Sequence, residues 1–571
     1  MPRADARDPL PDWWPIPAAA IAVVAGLAFR FWHLTGQPLW LDEGYSAYAA
    51  SKGFAFLWKV VPLYETHPPF YYSLLRLWTL LCGDGLGSLR ALGALCGVIT
   101  IAGGIAAARS ISQFTGFDRA KRIVMTSSAT MLVALSLMPI EMARNVRPYA
   151  LLILVYSLII ALLFVIGSRL RQKRALWSRS YAAYLLVLTC LLWLHNLGVL
   201  YAGAVGIAFL ILCWRRSWIR KDWMAFVGGH LAVAAAWLPA LIILSSQAPT
   251  WISSTWLQMP PAQKLWFLSV RLFVAPRWDS MLPALALVLL AWWRFGRQSE
   301  GLRAVSALSV LAFLPLLASL AISFTIAPVF IPRTMAALAI PAMLLLALGV
   351  TSSAGGARVL GWILLVPVLF EMTRADITER RRGPPEDWYR IVDWLAPRFA
   401  PGDVVLAYPN EGALPLRFAL RDKHLAIPVR PIPTDMPTLD GGPGAWNPTG
   451  SRGVFSLPET RLQQIADAPD VRSIPTVWLL RQGPWAYDKG DHFLHALERS
   501  RVQVGHVFTF PIDLIGLRRK DLEPFPARRN RLAGQERLQI QELEHFPAEK
   551  PVPTFSGSAL ATVPPAEQPK P

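Results

Sequence analysis

The chain has 571 residues, of which 54% are hydrophobic and only 16% charged, against about 25% charged in an ordinary soluble domain. A soluble fold of this length cannot hide so much apolar surface, so the composition excludes a soluble enzyme and makes the bilayer the solvent. The formal net charge is +19, but Lys and Arg cluster in short loops between apolar runs, the positive-inside pattern, and no Arg/aromatic stripe accompanies them to suggest nucleic acid.

A membrane span needs about 20 apolar residues. Runs of that kind fall at 15–34, 88–109, 123–140, 147–168, 181–196, 198–214, 223–245, 280–295, 303–325, 333–350 and 357–373. The first, around Ile16 to Trp32, is preceded only by Arg3 and Arg7 and followed by no small-residue cleavage site. It reads as a retained span, not a signal peptide. Many of the 24 tryptophans sit at run ends, as at Trp13, Trp14, Trp214, Trp223, Trp292 and Trp293, where an interfacial belt belongs. The four cysteines, Cys82, Cys96, Cys190 and Cys213, lie in or at the ends of apolar runs without CxxC spacing, so neither a disulfide framework nor a zinc site is expected.

Segment 67–82 is apolar but opens with His67-Pro68-Pro69 and carries Arg76. If it lies on or dips into the outer face, the basic loops around Arg119, Arg171, Arg215 and Arg294 all fall on one side. That side is the cytoplasm. The opposite side then receives 35–87, 141–147, 246–279, 326–332 and everything after 374. The expectation is an odd number of spans, about eleven, with the C-terminus outside.

Residues 374–520 change character. Pro, Gly and charge rise, a helical stretch runs from Glu386 to Phe399, and short strand-like runs appear at 403–408, 476–480 and 506–510. Alternating helix and strand predicts a small α/β domain. From 521 to 571 Pro, Glu, Arg and Gln dominate, a composition expected of a disordered tail. The domain reading is therefore 1–373 for the membrane module, with 35–87 as its first outer loop, then 374–520 and 521–571.

Five places on the outer face carry residues suited to chemistry. The first loop holds Asp42-Glu43-Gly44-Tyr45, two acids past a span at the start of a predicted short helix, 43–51. Acids favour a helix N-terminus for electrostatic reasons alone. Next is Glu65-Thr66-His67-Pro68-Pro69-Phe70-Tyr71-Tyr72, where the prolines open a helix and His67 sits where an anionic phosphate also binds well. Arg144, Arg147, Pro148 and Tyr149 stand at the mouth of a later span, as do His195-Asn196 and Pro332-Arg333. One arginine there could simply snorkel, and a lone histidine is more often structural. Acids, histidines and arginines converging on one face are what a phosphate-linked substrate needs.

At these residues the sequence resembles the bacterial members of the protein O-mannosyltransferase and aminoarabinose-transferase group, GT-C glycosyltransferases that use polyprenyl-phosphate sugars. The matching stretches are Leu41-Asp42-Glu43-Gly44-Tyr45, His67-Pro68-Pro69-Phe70-Tyr71-Tyr72, Ser88-Leu89-Arg90-Ala91-Leu92, Arg147-Pro148-Tyr149-Ala150-Leu151-Leu152, His195 and Arg333, in family order across about 30–350. The acid pair and the His-Pro-Pro helix are its specific part. One position departs: the family often has an acid where this chain has Asn145, although Glu141 stands one helical turn away.

The resemblance implies a polytopic GT-C fold in a bacterial inner membrane, with a periplasmic C-terminal domain. It also implies a cavity opening outward, with the donor's polyprenyl chain among the spans. An acceptor hydroxyl or phosphate, on a protein, lipid or polysaccharide, attacks the anomeric carbon and the lipid phosphate leaves. That chemistry needs a base and positive charge on the leaving group. Asp42 is the expected base, with Glu43 as helper. His67, Arg90, Arg147 and Arg333 are the expected phosphate ligands, and Arg144, Tyr149 and His195 are further site candidates. Asp42 and Glu43 are also the candidate ligands for a divalent metal, for which one carboxylate pair supplies too few donors to assert. The rival reading is a transporter or flippase of lipid-linked sugars, which needs no base, though the sequence lacks the internal repeats typical of transporters. A non-catalytic anchoring protein is a third reading, in which the acid pair has no role.

Overall fold

The computed structural model describes residues 13–522, apart from 66, 214–217, 255–256, 352–356, 438–456 and 489. Most of the proline-rich stretch 521–571 thus lies outside the described residues, as do Trp214 and the region 438–456. The chain divides into two compact bodies. One comprises 13–37, 46–254 and 259–383; the other comprises 38–45, 257–258 and 384–522.

The first body is helical throughout. It begins with α1 (Pro15–Phe31), and α2 (Leu41–Ser51) enters it in mid-helix. The short α3 (Phe54–Lys59) and α4 (Phe70–Cys82) lead to the long α5 (Leu86–Thr115). Then come α6 (Arg119–Ala134), α7 (Leu137–Ala143), α8 (Tyr149–Arg171), α9 (Arg179–Leu194), α10 (Gly198–Cys213) and α11 (Arg220–Ser254). After α12 (Ala262–Arg271), α13 (Trp278–Phe295), α14 (Ser299–Thr325), α15 (Ala339–Thr351) and α16 (Ala357–Arg381) complete it.

Among the described residues five helical stretches are long and apolar enough to cross a bilayer: Leu86–Thr115, Tyr149–Arg171, Arg220–Ala248, Ser299–Thr325 and Pro332–Thr351. A sixth is the bent pair α6–α7, broken by 50°. The expected spans at 15–34, 181–196 and 198–214 are apolar helices of 16 or 17 residues. The protein is a multi-pass membrane protein whose long helices number fewer than the apolar runs in its sequence. Helix α4 has 13 residues, about 20 Å of rise, too short for a hydrocarbon core of about 30 Å. It buries Tyr71, Tyr72 and Leu75 and exposes Leu77, Leu80 and Leu81, as a helix lying in an interface would.

Small residues let these helices close on one another. A Cβ on Gly93 of α5 would stand 2.8 Å from the Ala143 carbonyl oxygen, and one on Gly349 of α15 would collide with the Leu287 carbonyl of α13. Close backbone approach of this kind is how helices associate when their surroundings are as apolar as their side chains.

The second body is built on a five-stranded sheet in the order β2-β1-β3-β5-β4. Strands β1 (Val404–Tyr408), β2 (Val429–Pro431) and β3 (Thr476–Gln482) are parallel; β4 (Arg501–Thr509) and β5 (Ile512–Arg519) form an antiparallel hairpin. One face packs on α17 (Trp388–Leu395) and α18 (Ala413–Asp422), with Trp388, Leu395, Val405 and Trp478 in its core. The opposite face buries Leu406, Tyr408, Leu479 and Phe493. The α/β expectation holds. The helix expected over Glu386–Phe399 is α17 continued by a 3-10 turn, Ala396–Arg398, whereas β2 and β5 are not anticipated. Strand β2 is three residues ending in proline, and β5 shows no clean apolar/polar alternation, because both its faces are buried and Asp513 and Gly516 interrupt its apolar residues.

Candidate active site

In the first body, His67 is fixed from the chain that precedes α4. Glu65 is buried, and its Oε1 accepts from the His67 backbone N–H at 3.1 Å and meets Nδ1 at 2.7 Å. Gln247 of α11 pins this turn by donating to the carbonyls of Pro62 and Glu65 at 2.8 and 2.9 Å. The His67 Nε2 faces Arg147 Nη2 at 3.4 Å. Glu65 thereby sets the orientation of the ring, with Nδ1 toward its carboxylate and Nε2 toward the guanidinium.

Arg147 sits just before α8, 2% exposed, and also makes a long contact of 3.5 Å to Ser46 Oγ. Its guanidinium lies 5.9 Å from the Tyr149 ring, and Arg333 lies 6.0 Å from the same ring. His195, at the end of α9, crosses His67 edge-to-face at 4.9 Å and stands 6.0 Å from Tyr149. Its Nδ1 accepts from the Leu197 N–H at 3.0 Å, which leaves Nε2 as the protonated nitrogen of the neutral ring. Two permanent cations thus flank one aromatic ring beside two imidazoles. Such a cluster suits an anion with several oxygens.

A cavity of about 330 Å³ opens beside this cluster. Leu74, Leu77 and Leu81 of α4, Leu92 of α5 and Leu151 of α8 line it, and Arg147 is the charged residue in its wall.

The structure thus brings together His67, Arg147, Tyr149, His195 and Arg333. Arg90 and Arg144 reach the chain between α1 and α2. Arg90 Nη1 donates to the carbonyls of Leu34 and Gln37 at 2.9 and 2.8 Å, and Arg144 Nη2 donates to the His33 carbonyl at 3.3 Å. Together they hold the chain between α1 and α2. Glu141, the acid nearest to Asn145, is paired with Arg271 at 3.0 Å, which also engages Glu379 at 3.3 Å.

The acids belong to the second body. Asp42 and Glu43 are 6% and 0% exposed in the first turn of α2. The Leu41 N–H, one of the orphan donors of a helix start, is taken by Glu386 Oε2 at 2.9 Å. Among the described residues no group of three or more His, Cys, Asp or Glu side chains is placed to hold a metal ion. The acid pair therefore does not fit a bound cation without further ligands.

Glu65, Ser46 and Glu386 are contacts that the sequence reading did not single out. Glu65 had a signal, two residues before a histidine that needs its ring oriented. Ser46 and Glu386 had none.

No protein-family model and no curated protein matches the sequence. Solved structures do. ArnT from Cupriavidus metallidurans, in the apo state, superposes with a TM-score of 0.56 at 14% identity, covering 88% of this chain and 97% of that one. The same protein bound to undecaprenyl phosphate gives 0.53 over the same shares. The chain has the GT-C glycosyltransferase fold. An oligosaccharyltransferase from Archaeoglobus fulgidus also matches, at 10% identity over 90% of this chain and 75% of that one, with a TM-score of 0.45 that carries no weight. The GT-C likeness to ArnT spans nearly the whole of both chains, so it takes in both the helical body and the α/β domain.

Proposed function

We propose that the protein is a membrane glycosyltransferase that moves a sugar from a polyprenyl-phosphate donor to a hydroxyl or phosphate acceptor at the outer face of a bacterial inner membrane. The observation that carries this reading is the apolar cavity with a buried arginine in its wall. An isoprenoid phosphate has the same two parts, a branched apolar chain and an anionic head. Arg147, with Arg333 beside it across Tyr149, supplies the charge that neutralises the phosphate as it leaves. His67, anchored by Glu65, stands against Arg147.

Asp42 is the base in this reading. It takes the proton from the acceptor as the acceptor oxygen bonds to the anomeric carbon and the bond from that carbon to the phosphate oxygen breaks. Glu43 assists. The ArnT structure bound to undecaprenyl phosphate supports the donor class. The C-terminal domain is read as periplasmic from the one-sided basic loops, and a membrane-impermeant thiol reagent added outside cells should label a cysteine placed at Lys423 and spare one at Gln172.

The test uses the purified full chain in lipid nanodiscs with undecaprenyl phosphate bearing labelled pentoses or hexoses. Release of undecaprenyl phosphate that depends on both Asp42 and Arg147 is expected. Binding of the lipid without bond cleavage, together with its movement between leaflets, would replace the transferase by a flippase.

A further inference from the structure

The second body contains an arrangement that the reaction above does not by itself require. Glu386 is 8% exposed, just ahead of α17, and three donors converge on it. Its Oε2 accepts from the Leu41 N–H at 2.9 Å and from Trp388 Nε1 at 2.8 Å, and its Oε1 accepts from Gln482 Nε2 at 3.3 Å. Gln482 is the last residue of β3, and the turn Asn410–Gly412 follows β1. The crevice beyond the carboxyl ends of neighbouring parallel strands is where open α/β sheets receive their ligands. Here the occupant is the chain's own acid segment. A Cβ on Gly44 would stand 3.1–3.2 Å from the backbone N and Cα of Pro415 in α18, so residue 44 lies directly against the start of that helix.

We propose that Glu386 is a positioning residue: presented by the C-terminal domain, its carboxyl group fixes the first turn of α2 and so sets the aim of Asp42 and Glu43. This rests on the reading that the acid segment carries the base. Three features support it. The contact joins positions 345 residues apart, so local chain geometry does not account for it. The acceptor caps the first helical N–H, which fixes the position and direction of the helix start. Trp388 and Gln482 hold the carboxyl group in turn, and a group meant to aim another must itself be locked.

Electrostatics adds a pH dependence. Burial, and then the negative charges of Asp42 and Glu411, push the Glu386 carboxyl up to about 7, against the opposing hydrogen bonds from Trp388 and Leu41. Asp42 and Glu411 are the charged groups that act on it, while Leu41, Trp388 and Gln482 meet it as neutral donors. Below about 7 the clamp is neutral; above it, a second negative charge stands near Asp42.

The test compares wild type, Glu386→Ala and Glu386→Gln as full chains in nanodiscs. Hydrogen exchange of residues 38–45 should quicken about tenfold or more in Glu386→Ala, as expected when a hydrogen bond of about 1.4 kcal/mol is lost, while β1 and β3 keep their protection. Turnover of an undecaprenyl-phosphate sugar should fall about tenfold or more, the cost of a small misplacement of a reacting group. The Kd for undecaprenyl phosphate should stay within about twofold, because the loss lies in turnover and not in ground-state binding. Glu386→Gln keeps an acceptor for Leu41. It should restore protection and most of the turnover while flattening the rate profile between pH 6 and 8. Unchanged exchange of 38–45 in Glu386→Ala would overturn the proposal. So would an equal rise in β1 and β3, or a loss of lipid binding with turnover intact. If wild type neither binds undecaprenyl phosphate nor cleaves any donor, the transferase reading fails, and the exchange measurement still decides whether Glu386 clamps the acid segment.

Discussion

Both bodies bury charged side chains against backbone groups: Glu65 and Asp222 accept from N–H groups in the helical body, and Arg501 donates to the Leu517 and Val471 carbonyls in the α/β domain. In the helical body, buried arginines spend their donors on backbone carbonyls. Arg30 gives Nη1 to the carbonyls of Gly26 and Ala134 at 2.9 and 2.8 Å, and Arg90 does the same for Leu34 and Gln37. In the α/β domain, buried carboxylates organise the chain. Asp403 accepts from the backbone of Ala400 and Thr476 and from the Trp478 indole, and Asp513 pairs with Arg481 and His506. The surfaces differ. The helical body exposes Ile21, Leu186, Leu289, Val366 and Phe370, whereas among the described residues of the domain the large exposed apolar ones are Val502, Phe508 and Phe510, all on or next to β4. The lesson concerns what specifies packing. In water the hydrophobic effect sorts inside from outside. In lipid it does not, and close-fitting small residues decide which helices meet.

The largest expected effect tests the domain side. Trp478→Ala removes a side chain buried on the α17 face of the sheet and should cost about 3–5 kcal/mol. Limited proteolysis of the full chain should show 384–522 becoming labile while the helical body stays resistant. Loss of both together would mean that the bodies fold as one cooperative unit.

Next comes the acid segment. Asp42→Asn should leave expression and undecaprenyl-phosphate binding near normal while turnover falls about a hundredfold or more, since Asn keeps the shape but cannot take a proton. Glu43→Gln should cost less. Normal turnover in both variants and in their combination would remove the acids from catalysis and favour the flippase reading.

On the helical side, Arg333→Ala should weaken undecaprenyl-phosphate binding by about 1.5–3 kcal/mol, the worth of a hydrogen bond to a charged group. Arg333→Lys should restore only part of it, because an ammonium lacks the planar fork. Unchanged lipid affinity would take Arg333 off the phosphate. Gly349→Leu should destabilise the body by about 1–3 kcal/mol through overpacking, although it makes the helix more apolar. A thermal shift of the detergent-solubilised protein would detect this, and an unchanged or higher midpoint would break the contrast between the two solvents.

The last effect concerns pH. A Glu386 carboxyl raised to about 7 in the folded chain, against an unfolded value of about 4.3, binds its proton more tightly when folded. Its contribution to stability is therefore full below about 4.3 and lost as pH rises through about 7. Domain stability should decline across that window in wild type and decline less in Glu386→Gln, as measured by denaturant midpoints at pH 5 and pH 8.

Sequence alone determined what depends on local composition and spacing. Apolar runs marked the helices, although several proved too short to be counted as spans by length. The rise in Pro, Gly and charge located the α/β domain, and strands β1, β3 and β4 were legible because turn residues bound them. The cluster of His67, Arg147, Tyr149, His195 and Arg333 was legible as a set of residues at the ends of apolar runs. Their assembly around one aromatic ring was not, because it depends on how α4, α8 and α9 and the segment before α15 pack together. Tertiary structure also divided the arginines: Arg90 and Arg144 have the same charge and depth in the sequence as Arg147, yet they anchor the carbonyls of residues 33–37. It likewise placed the acid segment of residues 38–45 in the crevice of a domain 345 residues away along the chain. No periodicity encodes that contact. A helix start carries unpaired N–H groups wherever it forms, and only the folded chain decides which carboxyl group reaches them.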